Sequence, residues 1–278
     1  MNRIKNENIK MDIEKAIKLV NSKGNEIEKA RLDAILWDKS VQKEVLRRLA
    51  AFQKFDGGFS YWIKEISNIC DTIYVLFWFD DLKLYHGPIV DPACRFLLDR
   101  QQKDGGWDEV DEVQKFNPPE WMIPGRIETR VWLTAYCAHV LIRFGYAEAE
   151  GTYCPTDFLN ANCDESGRLT GYLRATWIAL PMLAFYPGTE PELFQKAISV
   201  VESNYSANWE GSYFAWLLRC LKDAGLSSEH PLVDRCLSDL KQKQRRDGSW
   251  QPETGEGEKH SVNATIGALS ALKRYNLI

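Results

Sequence analysis

One short phrase recurs along the chain and sets the strongest limit on how the chain can fold. It reads "RQQKDGGWDEV" once, and close variants read "AFQKFDGGFSYW" and "KQKQRRDGSWQPE". Aligned on Gln53, Gln102 and Gln244, the copies are separated by 49 and then 142 residues, the second interval being close to three steps of about 47. Two weaker copies are expected in between, at Asn162 and Asn204. A fixed period of this size indicates stacked supersecondary units that cover one another's apolar faces.

Each repeat combines two kinds of predicted helix. An amphipathic stretch such as "SVQKEVLRRLAAFQ" precedes the Gln and predicts a half-exposed outer helix. An almost wholly apolar stretch such as "TRVWLTAYCAHVLI" follows the turn and predicts a helix covered on every side. Pro92, Pro191 and Pro231 are predicted to lie at the first position of outer helices, and Pro181 to kink or shorten its inner helix.

Alternating half-exposed and covered helices predict an all-α fold, an α/α toroid of inner and outer helices built from five to six helical-hairpin repeats. An open solenoid of hairpins is the alternative. Residues 1–39 are predicted to form an N-terminal helical extension that packs on the toroid, and residues 40–278 a single toroid domain.

The phrase itself predicts a structural fastener. Gly105 and Gly106 are expected to end the outer helix where the backbone reaches a positive φ, which glycine adopts at little cost. The Gln amide is expected to bond backbone groups at a neighbouring helix end, with the aromatic residue at the end of the phrase lying across that amide.

Composition excludes several classes of partner and compartment. The formal net charge of −4 provides no basic patch for nucleic acid or for an anionic membrane surface. No run approaches the roughly 20 apolar residues of a transmembrane helix, and the N-terminal stretch lacks a signal-peptide core, so a cytoplasmic location is expected. The seven Cys contain no CxxC pair and are predicted to be reduced core thiols.

The repeated pattern Gln-x-x-Asp-Gly-Gly/Ser-Trp/Phe, followed by an apolar helix that contains Thr, also carries a resemblance. It resembles the Gln-Trp motifs of squalene and oxidosqualene cyclases and of protein prenyltransferase β subunits, over about residues 40–278. The resemblance to this terpenoid cyclase and prenyltransferase superfamily implies an α/α toroid around an apolar cavity that binds isoprenoid chains. An isoprenoid or another apolar small molecule is therefore the expected ligand. The ten Trp fit an aromatic lining.

The cyclase branch of that superfamily protonates an alkene with an Asp from an Asp-x-Asp-Asp-Thr motif at the start of an inner helix. This sequence reads "NICDT", which keeps Asp71 but puts Cys70 at the position of the proton donor. Because a thiol is far too weak an acid to protonate an alkene, another carboxyl must act if the protein is a cyclase. Asp71 is the first candidate, Glu128 the second and Asp111 the third.

The prenyltransferase branch binds zinc through an Asp and a Cys two residues apart and a distant His. Here Asn68 replaces that Asp, Cys70 keeps the spacing, and His260 is offset from the expected position. No cofactor is therefore predicted, with zinc or magnesium as the alternative.

The start of every inner helix is expected to lie at one end of the toroid. Helix N-termini there would favour an anionic or acidic group. The candidate substrate-binding residues are polar side chains at those starts and aromatic side chains along the inner helices: Asn68, Cys70, Arg130, Arg174 and Asn263, with Trp78, Trp132 and Trp177. Arg126 belongs to the same end.

Other chemistry-bearing residues have ordinary explanations. The acidic "DEVDEV" opens a long insertion that is predicted to be a solvated loop, with the alternative that it closes over the cavity. Asp80 and Asp81 are predicted to be an isolated acidic pair, and His139 a satisfied core histidine.

Three functions remain open on the sequence. The first is a terpenoid-cyclase-like protein that binds an isoprenoid chain in an aromatic-lined cavity and cyclises it, an isomerase, lyase or transferase by class. The second is a non-catalytic isoprenoid-binding or scaffold protein that has lost the catalytic acid. The third is a sugar-acting α/α-toroid enzyme, which would need paired carboxylates across an opening.

Overall fold

The computed structural model describes residues 11–149, 152–186 and 192–278. Within these residues every regular secondary-structure element is a helix. In chain order the α-helices are α1 (Ile13–Lys23), α2 (Glu26–Trp37), α3 (Lys43–Ala50), α4 (Ile69–Asp81), α5 (Val90–Leu98), α6 (Ile127–Arg143), α7 (Pro155–Asn160), α8 (Leu173–Ile178), α9 (Leu180–Phe185), α10 (Leu193–Ser203), α11 (Gly211–Asp223), α12 (Pro231–Gln242) and α13 (Ser261–Arg274). Short 3₁₀ helices lie at Asp111–Phe116, Glu120–Met122 and Glu258–His260.

The described chain divides into two compact units. The first unit contains the described residues of 1–39 together with 206–222 and 226–278, and the second contains those of 40–205 with 223–225. In the first unit α13 packs on α1 and α2. In the second unit α6 is the central helix, because it packs against α4, α7, α8 and α9.

Burial separates the two predicted kinds of helix. Every residue of α4 is buried except Tyr74 and Phe77, and in α6 the whole run from Leu133 to Leu141 is buried. In α3, by contrast, only Val45 and Leu49 are buried. Covered and half-exposed helices therefore alternate, as the apolar and amphipathic stretches predict.

Two of the predicted effects of proline are confirmed within the described residues. The helix that contains Pro181 is broken, since α8 ends at Ile178 and α9 begins at Leu180. Pro231 opens α12, with His230 as its N-cap. Pro92 follows the start of α5 by two residues, and Pro191 lies outside the described residues.

In the second unit the repeated Gln fastens its own turn to the start of the next outer helix. The side-chain amide of Gln53 donates to the carbonyls of Gly57 and Ile89, both at 2.8 Å, and Ile89 directly precedes α5. Gln101 donates to Gly105 at 3.0 Å and to Tyr153 at 2.8 Å, just before α7. Each amide thus satisfies backbone carbonyls of two segments that are distant in sequence.

In the first unit the same device holds α1 to the last phrase. Gln244 donates to the carbonyls of Gly248 at 3.0 Å and Asp12 at 2.9 Å, and its Oε1 accepts from the Asp12 amide at 2.8 Å. Asp12 is the N-cap of α1. Helix α1 is therefore placed relative to the last phrase as α5 and α7 are placed relative to theirs.

The predicted positive φ is confirmed at Gly105 but not at Gly106, and the two glycines lie in the turn after α5, which ends earlier, at Leu98. Gly57 and Gly105 have φ of 88° and 86°. A Cβ on Gly57 would lie 2.4 Å from the carbonyl oxygen of Pro92, and one on Gly105 would lie 2.4 Å from that of Cys154. Both the backbone conformation and the approach of the next outer helix exclude a side chain.

Two positions in the predicted alignment are wrong by one residue. Gln101, and not Gln102, occupies the fastening position, and Gln102 instead accepts from the Arg130 guanidinium at 2.6 Å. In the weak copy the equivalent position is Cys163, whose isolated bridge to Leu169 matches that between Gln53 and Phe59. The side-chain amide of Asn162 instead donates to the Phe158 carbonyl, four residues earlier. The alignment at the second phrase was wrong because two Gln stand side by side there, and only Gln101 has the Gln-x-x-Asp spacing of the other copies.

The aromatic residue of the phrase anchors to its own outer helix. The indole N–H of Trp107 donates to the Leu97 carbonyl at 2.7 Å, and that of Trp250 to the Leu240 carbonyl at 2.8 Å. Each indole thus bonds a carbonyl near the end of α5 or α12. The prediction instead places the aromatic residue across the Gln amide.

In four repeats, a threonine of the following inner helix forms a hydrogen bond to the end of the phrase. Its hydroxyl accepts the backbone N–H of the last residue of the phrase, at 2.9–3.2 Å, in four places: Phe59 to Thr72, Trp107 to Thr134, Leu169 to Thr176 and Trp250 to Thr265. These bonds fix where the inner helix lies relative to the turn.

Replacement of Gln101 by Ala should destabilise the protein more than the same change at Gln102. Gln101→Ala removes bonds to two backbone segments, and an unsatisfied backbone group costs about 1–3 kcal/mol, whereas Gln102 is exposed. Urea unfolding of the two variants measures the difference. Equal losses of the free energy of unfolding would show that the Gln101 amide does not hold the two segments together.

Candidate functional site

The start of α4 is built around the carboxylate of Asp71. One of its oxygens, Oδ2, accepts the backbone N–H groups of Tyr61, Trp62 and Ile63 at 2.8, 3.0 and 3.2 Å, and the side-chain amide of Asn68 at 2.9 Å. Asn68 is the N-cap of α4, because its Oδ1 accepts the Asp71 amide at 2.7 Å. The first predicted catalytic residue thus organises the loop before its helix.

The two oxygens of Asp71 differ in their surroundings. Whereas Oδ2 has four donors, the buried Oδ1 has no hydrogen-bond partner among the described residues. Burial raises the pKa of Asp71 above its ordinary value, and the donors on Oδ2 oppose that effect.

A second buried carboxyl, Glu109, lies against the first turn of α4. Its Oε1 accepts the Ile69 N–H at 2.8 Å and its Oε2 accepts the Cys70 N–H at 3.0 Å. Its own neighbour Val110 donates to Oε1 at 2.9 Å. Glu109 is only 4% exposed, and burial raises its pKa while these N–H groups oppose the shift. A carboxyl group therefore occupies the positive end of α4.

Glu109 belongs to the acidic segment that we predicted to be solvated, and for this residue the prediction is wrong. Asp111 and Glu112 are exposed as expected, but Glu109 and Val113 are buried. The sequence signal that distinguishes them is the distance from Trp107. That residue is anchored at both its indole and its amide, which fixes the backbone two residues before Glu109.

Two thiols lie near the Glu109 carboxyl. Burial, followed by the charge of Glu109, raises the pKa of Cys70 well above its ordinary value, and the same two causes act on Cys137 of α6. Both thiols are therefore protonated at neutral pH. They match the predicted reduced core cysteines.

The remaining predicted polar residues of the second unit lie around the start of α6 and in α8. Glu128 is half-buried and forms an ion pair with Arg126 at 3.5 Å. Arg130 forms one with Asp104 at 2.8 Å and lies over the ring of Phe158. Asp111 is exposed, and Arg174 is half-buried in α8. Within the described residues, the predicted site residues Glu128, Arg130, Asp111 and Arg174 make no bond to Asp71 or Glu109.

Aromatic side chains line up on α4 and α6 of the second unit. Trp132 contacts Trp121 and Tyr136, with ring centroids 4.9 and 4.8 Å apart, and Tyr136 contacts Phe77 at 5.9 Å. Tyr74 meets Trp62 at 4.2 Å. Of the three predicted tryptophans, Trp132 is half-buried, and the other two, Trp78 and Trp177, are buried.

His139 is the core histidine that the sequence predicts, but it is satisfied only at Nε2, because its buried Nδ1 has no hydrogen-bond partner among the described residues. It is fully buried, and its Nε2 lies 2.9 Å from Oδ2 of Asp223. Asp80 takes part in a neighbouring pair, since its Oδ1 accepts from Nε of Arg143 at 2.8 Å. Both arrangements lie in the second unit, and the Arg143 guanidinium compensates the buried charge of Asp80.

Asn263 belongs to the first unit. It lies in the first turn of α13, and its Oδ1 accepts from the Arg31 guanidinium at 2.8 Å. His260 directly precedes the same helix, in the last 3₁₀ segment.

A search of residues 11–149, 152–186 and 192–278 finds no group of three or more His, Cys, Asp or Glu side chains placed to hold a metal ion. Among the helices of those residues, none combines the length and apolarity needed to cross a bilayer.

No known protein-family model and no curated protein matches the sequence. The structure is similar to that of a protein from Actinoplanes, at 17% identity and a TM-score of 0.62, over 95% of this chain and 98% of that chain. It is similar to the type II terpene cyclase MstE from Scytonema in its apo form, at 13% identity and a TM-score of 0.63, over 95% of this chain and 97% of that chain. A variant of MstE in complex with its substrate, geranylgeranyl dihydroxybenzoate, gives 13% identity and a TM-score of 0.59, over 91% and 87%.

At such identities these similarities show the fold. Terpene cyclases are α/α toroids, so the predicted fold class, an all-α chain with an α/α-toroid fold, is confirmed. The resemblance inferred from the repeated phrase is supported at the level of a terpenoid-cyclase-like fold.

Glu109→Gln should change how the stability of the protein depends on pH. Because burial raises the folded-state pKa of Glu109 above its ordinary value of 4.5, the folded protein binds more protons than the unfolded chain. The wild type should therefore lose stability as the pH rises from 4.5 through the folded-state pKa, and the variant should lack this part of the loss. Urea unfolding at a series of pH values measures it.

Glu112→Gln is the matched control, since Glu112 is exposed three residues further along the same segment. Its stability should follow the wild type at every pH. Parallel curves for the wild type and Glu109→Gln would mean that folding does not raise the pKa of Glu109.

Proposed function

We propose that this protein binds an isoprenoid chain that carries a polar head and cyclises it by protonating a carbon–carbon double bond. The proposal proceeds from the shared fold. The type II terpene cyclase MstE has been captured with geranylgeranyl dihydroxybenzoate as substrate and with merosterolic acid A as product. A closer relation to the squalene-cyclase-like Gln-Trp repeat proteins is part of the same proposal and rests on the three clear copies of the phrase.

The observation that carries the proposal is a row of aromatic side chains that begins beside buried carboxyls. Cys70, Tyr74 and Phe77 are spaced i, i+4 and i+7 on α4, so they share one face of that helix. Tyr74 and Phe77 are the only residues of α4 that are not buried. An otherwise covered helix that keeps two aromatic rings partly exposed offers a surface for an apolar chain.

The same surface suits the chemistry of a carbocation. Aromatic faces attract positive charge, so rings along the path of a cyclising chain stabilise each cationic intermediate. Phe77 of α4 and Tyr136 of α6 contact each other and extend the row to Trp132. Protonation of the alkene needs a carboxylic acid that stays protonated in its resting state, and the carboxyls of Asp71 and Glu109 both have pKa values raised by burial.

Binding without turnover is the second candidate function, and one observation favours it. Cys70 stands where the family resembled by the sequence has its proton donor, and its thiol is held protonated by burial. In Asp71, the next residue, Oδ2 accepts four hydrogen bonds from the loop before α4 and is therefore not free to carry a reactive proton. A protein with this arrangement could keep the isoprenoid site and lack the acid.

Incubation with geranylgeranyl dihydroxybenzoate, geranylgeranyl diphosphate and squalene tests both candidates. Cyclisation initiated by a proton should give a product of unchanged mass with a new retention time, and with fewer olefinic protons in its NMR spectrum. Native mass spectrometry of the same mixtures reports binding. Retention of a substrate with no product would support the non-catalytic binder, and neither retention nor product would reject both.

Trp132→Leu should weaken binding of whichever substrate is retained, by about tenfold or more, because an aromatic anchor in an apolar site contributes more than 1 kcal/mol. Trp37→Leu is the control, since Trp37 is 47% exposed and lies outside the aromatic row. Equal affinities of both variants for that substrate would remove the row on α4 and α6 as its site. Quenching of tryptophan fluorescence gives the dissociation constants.

A further inference from the structure

The environment of Glu109 differs from that of the predicted catalytic residues Glu128 and Asp111. Its carboxyl takes the N–H groups of Ile69 and Cys70, the first two residues of α4, and of Val110. Free N–H groups at a helix start favour a negative charge, and here two of them, with the Val110 N–H as a third donor, bond one buried carboxyl. Glu128 and Asp111 have no comparable set of donors among the contacts of the described residues.

Glu109 also reaches the point on α4 where the family resembled by the sequence keeps its acid. It accepts the backbone N–H of Cys70 at 3.0 Å, and, after burial, its charge is a cause of the raised pKa of the Cys70 thiol. The segment after the second phrase thus brings a carboxyl to a position that the "NICDT" motif leaves to a thiol. A second observation concerns the same turn of α4: the buried Oδ1 of Asp71, the residue after Cys70, has no hydrogen-bond partner among the described residues and is left as an open acceptor.

We propose that Glu109 is the proton donor of the cyclisation. This inference rests on the proposed function and names its catalytic acid. The O–H bond of the Glu109 carboxyl breaks, and the π electrons of a substrate double bond form the new C–H bond, leaving a carbocation on the substrate and a carboxylate on Glu109. Further double bonds close the rings. The final cation loses a proton to water, Glu109 regains one from solvent, and the product is an isomer of the substrate.

Burial and the three N–H donors act on Glu109 in opposite directions, and each would assist a different stage of the proton transfer. Burial keeps the proton on the resting carboxyl, since a charged group is poorly solvated there. Once the proton has left, the three N–H groups stabilise the carboxylate without any rearrangement, which is how preorganised donors lower a barrier. Tyr74 lies one helical turn from Cys70 on the same face and could stabilise the cation.

The ionisable groups around Glu109 do not compete for this role. Cys70 of α4 and Cys137 of α6 have pKa values raised far above neutrality. Asp71 holds the loop before α4 through Oδ2. Asp108, the preceding residue, accepts the Gly125 N–H and lies near Arg130.

Glu109→Gln tests the inference. The amide oxygen of Gln can still accept an N–H from the start of α4, so thermal unfolding and substrate binding should stay close to the wild type. Turnover of the substrate that the wild type cyclises should fall at least about 100-fold, the contribution of a general acid. Glu112→Gln, on the exposed side of the same segment, should keep full activity.

Each outcome decides a different statement. Wild-type activity that survives in Glu109→Gln overturns the role of Glu109 and leaves the proposed function standing. A wild type that binds but forms no product overturns the proposed cyclase function, and the inference with it.

Should Glu109→Gln fail to fold, the pH dependence of kcat in the wild type decides instead. The rate should fall as the pH rises through the raised pKa of the protonated acid. A rate that is flat or rises with pH on that side would overturn the inference.

Discussion

The bond from a Gln side-chain amide to two backbone carbonyls is the interaction on which the rest of this structure depends. Gln53, Gln101 and Gln244 each hold a turn closed and hold the start of the next outer helix against it. Such an amide satisfies carbonyls that would otherwise be left without donors at a helix junction, and breaking it strands both segments. The glycine of the turn has to lack a Cβ because the partner segment approaches within van der Waals contact.

The fasteners also decide where chemistry-bearing residues lie. The second phrase ends in Trp107, whose indole bonds α5 and whose amide bonds Thr134 of α6. With both ends fixed, the chain two residues later has little freedom, and Glu109 is delivered to the first turn of α4. The first phrase does the same for its own loop, since Phe59 bonds Thr72 and the residues after it wrap the carboxylate of Asp71. The buried carboxyls are thus by-products of a structural repeat.

The proposed cation chemistry would place conflicting demands on an acid, and two separate features at the start of α4 correspond to them. Burial favours the neutral carboxyl, whereas helix N–H groups favour its conjugate base, and both act on Glu109. Asp71 experiences the same conflict but has its donors gathered on one oxygen. Beyond the carboxyls, α4 keeps Tyr74 and Phe77 partly exposed although its other residues are buried. This arrangement of an acid at the head of an aromatic row is why the terpenoid-cyclase-like fold suggests a cyclase.

The sequence by itself determined the all-α fold and its alternation of covered and half-exposed helices, because helical periodicity and Gly turns are local properties that a repeat displays several times. It also proposed Asp71, Cys70 and Trp132 as site residues, and all three lie in the second unit. The Gln-x-x-Asp spacing of the sequence also selects Gln101 over Gln102. Only the tertiary structure decided that the Trp indoles bond their own outer helices and that Glu109 is buried against α4. Those outcomes depend on which backbone groups lie nearby in space, at separations of 39 or 40 residues for Glu109, and no local pattern records such pairings.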